Sequence, residues 1–293
     1  MHLTIDSHAV YCFTGGKAFD PALPVIVLLH GALNDHSVWA LQSRALAHRG
    51  YAVLAPDLPG HGRSGGAPLA TVEAMAAWTL SLLEAAGAER ALLAGHSMGS
   101  LVALEAASMR PRRVSALALL GTSFPMQVAP ALLETARADP EAAIDMVASW
   151  SHAAWLPGPS TAGPGTSLAN TARRLMQRIA ARGEDGLFHT DFAACNAYAN
   201  GEAAAAAIAC PALLVLGRND MMTPPRAAAL LRAAIGHATV ETVDAGHAML
   251  AEAPGAVLDA LLRLAEAVRA DGPARPATAA TPASAGTAPG GAR

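Results

Sequence analysis

The chain is short of charge, of cysteine and of long apolar runs, and each shortage excludes something. Only 15% of its 293 residues are charged and the formal net charge at neutral pH is −3. That balance is too small for a polyanion-binding surface or for adhesion to an anionic membrane, so no nucleic-acid or membrane partner is expected. Cys12, Cys195 and Cys210 are an odd number at unrelated spacings. They fit no disulfide framework, metal motif or redox motif, and read as packing residues in a reducing compartment. The opening MHLTIDSHAVYCF lacks the basic start and apolar run of a secretory signal. No later apolar run reaches the ~20 residues of a membrane span. A soluble, cytoplasmic protein is the expectation, monomeric or homodimeric.

What is present is apolar: 53% of the residues are hydrophobic, ample for one large core. Short apolar runs at 25–29, 52–55, 91–94, 114–120, 212–216 and 239–243 read as strands. Between most of them lie helix-like stretches at 36–49, 71–86, 98–109 and 225–235, with another at 255–269. This alternation predicts an α/β fold, a mainly parallel sheet flanked by helices. From Thr122 to about Ala209 the rhythm breaks into helical patterns (126–138, 140–150, 168–182, 191–207) and the Pro/Gly-rich stretch WLPGPSTAGPGTS. The division expected is a core of 1–121 and 210–269, a helical insertion at 122–209, and a disordered Ala/Pro-rich tail at 270–293.

The stretch LLAGHSMGSLVALEAA, residues 92–107, passes from an apolar strand into an apolar helix through Gly95-His96-Ser97-Met98-Gly99. One reading is a turn whose serine caps the helix. The other is a nucleophile elbow that holds the Ser97 oxygen out for attack. Serine is a poor nucleophile unless a histidine takes its proton and a carboxylate orients that histidine. Both partners should lie just past the ends of parallel strands. Asp220, in GRNDMMTPP after 212–216, is the acid candidate, with Asp244 second. His247, in DAGHAML after 239–243, is the base candidate. A tetrahedral intermediate also needs two N–H donors. Met98 follows the serine, and Ala32 of LLHGALNDHSVW is the other, with Leu33 as fallback. His30 reads as a buttress of that loop, and His96 as a residue that orients the site.

Together these residues resemble the α/β-hydrolase superfamily. The features that carry the likeness are His30-Gly31…Trp39, Asp57-Leu58-Pro59-Gly60-His61-Gly62-Arg63-Ser64, the elbow, Gly217…Asp220 and Gly246-His247, in order over residues 3–268. The resemblance implies that 122–209 is a cap roofing the site and that 3–13 form an antiparallel edge hairpin. It also implies a serine hydrolase of esters or lactones needing no cofactor and no metal. The alternatives are a C–C bond hydrolase or enol-lactonase of aromatic catabolism, a cofactor-free perhydrolase, and, in another class, a non-catalytic ligand receptor. Candidate substrate contacts are Leu33, His96, Met126, Trp150, Trp155, Phe188 and Met221, with Phe192 and Tyr198 as further possible walls. His152 and His189 read as structural. Arg174, Arg178 and Arg182 share one helix face, read as solvated; turned inward, it would favour a carboxylated substrate.

Overall fold

The computed structural model describes residues 1–153, 167–184 and 186–270. Its elements in chain order are β1 (His2–Ile5), β2 (His8–Phe13), β3 (Val25–Leu29), α1 (Ala40–His48), β4 (Ala52–Pro56), α2 (Val72–Ala85), β5 (Ala91–His96), α3 (Met98–Met109) and β6 (Val114–Leu120). The insertion then carries α4 (Pro130–Ala138), α5 (Pro140–Trp150), α6 (Leu168–Ala180), α7 (Leu187–Ala197) and α8 (Gly201–Ala206). The chain returns through β7 (Ala212–Gly217), α9 (Ala229–Ala234), β8 (Thr239–Val243), α10 (Met249–Glu252) and α11 (Pro254–Ala270).

The sheet has eight strands in the order β1-β2-β4-β3-β5-β6-β7-β8. The expected hairpin β1–β2 joins it antiparallel, through Cys12 and Phe13 alone. All the remaining pairs are parallel. Every residue of β3, β4, β5 and β7 is buried, which explains their unbroken apolar runs: both faces of a parallel sheet are covered. Alternate side chains go to opposite layers. Val27, Leu29, Leu54 and Leu93 pack under α2 and α3, whereas Ile26, Leu28, Val53 and Leu92 pack against α1 and α11. Only Val243 of β8 is buried, as its threonine- and glutamate-bearing sequence TVETV requires of an edge strand.

Three helical expectations shift. The stretch 36–49 opens as a 3₁₀ turn, His36–Trp39, capped by the Asp35 carboxylate, before α1 begins. The stretch 126–138 becomes helical only at Pro130, the first-turn position proline favours. The stretch 191–207 resolves into α7, which starts earlier, at Leu187, and α8. The chain breaks between them where Tyr198 and Asn200 donate to Glu105 of α3, at 2.6 and 2.9 Å. Most of WLPGPSTAGPGTS, and the tail beyond Ala270, lie outside the described residues. Among the described residues no helix is long and apolar enough to cross a membrane.

Candidate active site

β5 ends at His96 and α3 begins at Met98, so the whole reversal falls on Ser97, at φ 54° and ψ −121°. A non-glycine residue held there costs about 1–3 kcal/mol and persists only if its surroundings enforce it. They do so through the main chain. Ser97 N–H donates to the Leu120 carbonyl at 2.9 Å, and the Ser97 carbonyl accepts Ser100 N–H at 2.8 Å and the Ser100 hydroxyl at 2.6 Å. Gly95 and Gly99 are required sterically. A Cβ on Gly95 would overlap the Gly99 carbonyl, and one on Gly99 would overlap the carbonyls of Leu29 and His30. The Ser97 hydroxyl makes no capping hydrogen bond and lines a cavity instead.

His247, from the loop after β8, places Nδ1 2.8 Å from Oδ2 of the buried Asp220. The other Asp220 oxygen accepts the N–H groups of Met222 and Thr223, each at 2.8 Å, and Oδ2 also accepts the Thr223 hydroxyl at 2.8 Å. Burial alone would raise the pKa of Asp220; the neighbouring His247 and the bonds from Thr223 outweigh it and hold the carboxyl below its ordinary value. A carboxylate at Nδ1 fixes the proton there and leaves Nε2 as the basic nitrogen. His96 supports the same ring, donating from Nε2 to the His247 carbonyl at 2.8 Å. Burial, then the adjacent His247, push His96 down to about 3, so it is a neutral donor. Gly121, at φ 52°, closes this floor; a Cβ there would come within 3.3 Å of both imidazoles. Asp244, the second acid candidate, is not in the site: its exposed side chain pairs with Arg218 at 2.6 Å.

The loop after β3 is fastened from two sides. His30 is fully buried, donating from Nδ1 to the Gly31 carbonyl at 2.9 Å and accepting Leu58 N–H at Nε2, 3.1 Å away. Burial, then neighbouring His61, lower its pKa to about 4. Leu33, at φ 47°, donates its N–H to Asp191 of α7 at 2.8 Å. It is therefore spent as the fallback oxyanion donor. The Ala32 and Met98 N–H groups make no hydrogen bond among the described residues. Asp191 Oδ2 also lies 2.9 Å from His61 Nε2, while His61 Nδ1 faces the Pro59 carbonyl at 3.0 Å. With oxygen acceptors at both nitrogens the arrangement favours the doubly protonated imidazole. Burial opposes that charge, but Asp191 prevails and the pKa of His61 is raised. Asp191 Oδ1 is buried without a partner.

The cavity measures about 440 Å³. Ser97, His96, His247, Gly31 and Ala32 form its floor, and Val147, Ala148, Leu168, Leu175, Phe192 and Met222 much of its wall. Among the described residues, the expected contact His96 reaches it, as does Phe192 of the further walls. Leu33, Met126 and Phe188 are buried in the hydrophobic clusters, and Trp150 and Met221 are exposed to solvent away from it. Trp155 lies outside the described residues. Helical periodicity marks which side chains are apolar, not which neighbour they meet: Phe188 and Phe192 stack on α7 with ring centres 4.8 Å apart, yet only Phe192 faces the cavity. His152 lines the wall while donating to the Ala148 carbonyl.

Sequence reasoning missed Thr223, Asp191 and Glu252. The Glu252 carboxylate accepts Gly246 N–H at 2.6 Å and Ala153 N–H at 2.8 Å, tying the histidine loop to the chain after α5. The one legible signal was a charge inside the apolar run LFHTDFAAC. Asp35, His36 and Asp57 bring ligand atoms within 4.8 Å of one another, but Asp57 Oδ1 is occupied by both His36 N–H groups, at 2.8 and 2.7 Å.

Comparison with known proteins now decides the family. A model of the alpha/beta hydrolase fold matches residues 24–254. The chain belongs to the α/β-hydrolase family. Within the family, a Klebsiella pneumoniae protein provisionally named carbamate hydrolase RutD is 31% identical over 244 residues, covering 78% of this chain and 86% of that one. Epoxide hydrolase A of Mycobacterium tuberculosis is 38% identical over 109 residues, 36% of this chain and 33% of that protein. The chain spans about a third of the length of the first curated relatives it matches. The enol-lactonase of Burkholderia xenovorans LB400 superposes with a TM-score of 0.76 at 23% identity, over 90% of this chain and 99% of that one, a likeness of fold.

Proposed function

We propose that the protein is a serine hydrolase of carboxylic esters or lactones, with residues 122–209 serving as a cap over a core of 1–121 and 210–269. The observation that carries this reading is Ser97 at the positive-φ turn on the floor of a cavity that is also lined by His247, whose Nδ1 is held by Asp220. His247 Nε2 takes the Ser97 proton as Oγ attacks the carbonyl carbon. The N–H groups of Ala32 and Met98 receive the oxyanion. His247 then protonates the leaving alcohol, and water, activated by the same nitrogen, releases the acid and regenerates Ser97. Each oxyanion donor is worth about 3–4 kcal/mol of barrier. Every proton in this cycle is handled by the chain's own groups.

The serine also bears on the likeness to an epoxide hydrolase. Opening an epoxide through a covalent ester needs a carboxylate nucleophile, and the elbow holds a hydroxyl. A carbamate carbonyl offers the same electrophile as an ester, so carbamates belong beside esters and lactones in the assay panel. The test is labelling by a fluorophosphonate. Modification at Ser97, abolished in His247→Ala, is the expected result; a folded protein that fails to react is a ligand receptor on this fold.

A further inference from the structure

α6 carries two rows of polar side chains with opposite fates. Arg173 and Gln177 turn to α5, where Arg173 meets Asp145 at 2.7 Å and Gln177 meets Glu141 at 2.7 Å. Arg174 and Arg178, one position further round, line the cavity that contains Ser97. No described carboxylate pairs with Arg174, and Arg178 has only Asp35, at 3.5 Å. Among the described residues not one acid lines this cavity. Of the residues between β6 and β7 outside the described ones, 154–166, AWLPGPSTAGPGT, contain no Asp or Glu, and Asp185 is the one acid. Arg178 and Ser37 also border a second cavity of about 240 Å³, which adds Arg182 and Arg63 and contains a single acid, Asp35. In a chain of net charge −3, guanidinium groups collect at the one wall where the protein supplies them almost no counter-charge.

Both arginines are exposed side chains at the rim of an otherwise largely apolar wall, where each can offer a planar or tetrahedral oxyanion paired N–H donors. We propose that Arg174 and Arg178 form an anion subsite, so that the substrate is an ester or lactone bearing a carboxylate or phosphate remote from the scissile carbonyl. This rests on the serine-hydrolase reading for its chemistry but not for its binding. The smaller cavity shares Arg178 and Ser37 with the first, so a second group of arginines stands beside the site for a longer anionic end.

The experiment compares kcat/KM for p-nitrophenyl pentanoate, the p-nitrophenyl monoester of glutaric acid, and p-nitrophenyl 4-phosphonobutyrate at low and at high salt. The protein is expected to favour at least one anionic ester by about tenfold, mostly through KM, with the preference shrinking as salt screens it. The better of the two anions identifies the group. Arg174→Gln and Arg178→Gln should each lower the ratio of anionic to neutral ester several-fold, and Arg174→Glu should reverse it. A ratio of one or less in the unaltered protein, or a ratio untouched by the three substitutions, overturns the proposal. Calorimetric titration of Ser97→Ala with monomethyl glutarate separates the two readings. Arginine-dependent binding alongside an inert native enzyme keeps the subsite and sinks the serine mechanism. Ester turnover with no charge preference and no such binding does the reverse.

Discussion

The floor of the cavity and its roof are built on different principles. On the floor, Ser97, His247 and Ala32 follow the ends of parallel strands, and main-chain constraints position them: a positive-φ turn, glycines whose Cβ atoms would strike backbone, and carbonyls that hold Ser97 and His96. In the roof, α4, α5, α6 and α7 share an apolar cluster around Leu132, Ile144, Met176 and Phe188, into which Leu33 of the floor loop also packs. They grip the floor through a few buried polar links, Asp191 to Leu33 and His61, and Glu252 to Ala153. Backbone-enforced geometry tolerates almost no substitution, whereas side-chain linkage tolerates substitution at graded cost. The floor should therefore fail all at once and the roof by degrees.

The largest expected effects test the floor. Ser97→Ala or His247→Ala should reduce kcat for a short p-nitrophenyl ester by about 10⁵–10⁶ with an unchanged circular dichroism spectrum. Asp220→Asn should cost about 10⁴, because the wrong imidazole tautomer then faces the serine. Asp244 is tied to Arg218 on the surface, so adding Asp244→Asn to that variant should change nothing further. A further loss in the double variant would return Asp244 to the site.

Much of the floor was legible in the sequence for the same reason that it is rigid. A residue placed by the end of a strand can be found by finding the strand: Ser97 and Asp220 follow apolar runs, His247 follows the edge strand TVETV, and the structure brings Asp220 and His247 to 2.8 Å. The sheet was legible because buried strands are apolar throughout. The roof was not. Met126, Trp150, Phe188 and Met221 are large and apolar, but periodicity alone does not say which face of a helix meets a cavity and which meets another helix. Thr223 and Asp191 were invisible because their partners lie in three dimensions: Asp191 is 158 residues from Leu33. The arginine row on α6 was seen, but its direction was not.

Asp191 tests the junction between the two regions. Asp191→Ala would remove the buried carboxylate partner of His61 and free the Leu33 N–H. Breaking such a buried pair costs about 3–5 kcal/mol, to be read as a lower urea midpoint. Restoring the other partner's neutrality should relieve part of that cost, so the double variant with His61→Gln should be more stable than Asp191→Ala alone. Equal stability of the two would show that His61 does not feel the carboxylate.

Acid should weaken the floor, and the direction follows from two neutral histidines there. His30 and His96 have folded pKa values of about 4 and about 3, against an ordinary 6.5. The unfolded chain therefore takes up protons first as pH falls below 6.5, and stability drops by up to about 1.4 kcal/mol per pH unit for each group until its folded value is reached. His61 acts in the opposite sense. Its pKa is raised, so its contribution is complete below 6.5 and is lost as pH climbs through the folded value. It adds no slope on the acid side. Urea midpoints should fall steadily between pH 6.5 and pH 4.5; a flat profile would mean that these histidines are protonated in the folded protein.

The smallest effect belongs to the roof's outer surface. Trp150 ends α5 with its side chain exposed, and it lines neither cavity even though its helix neighbours Val147 and Ala148 do. Phe192, by contrast, has its ring in the wall. Trp150→Ala should change kcat/KM for a neutral ester by less than about twofold, as for a side chain that lines neither cavity. Phe192→Ala should raise KM several-fold, because it removes apolar surface that substrate would otherwise cover. If Trp150→Ala matched Phe192→Ala in KM, the end of α5 would have to turn inward when substrate binds, and the roof would be a moving part.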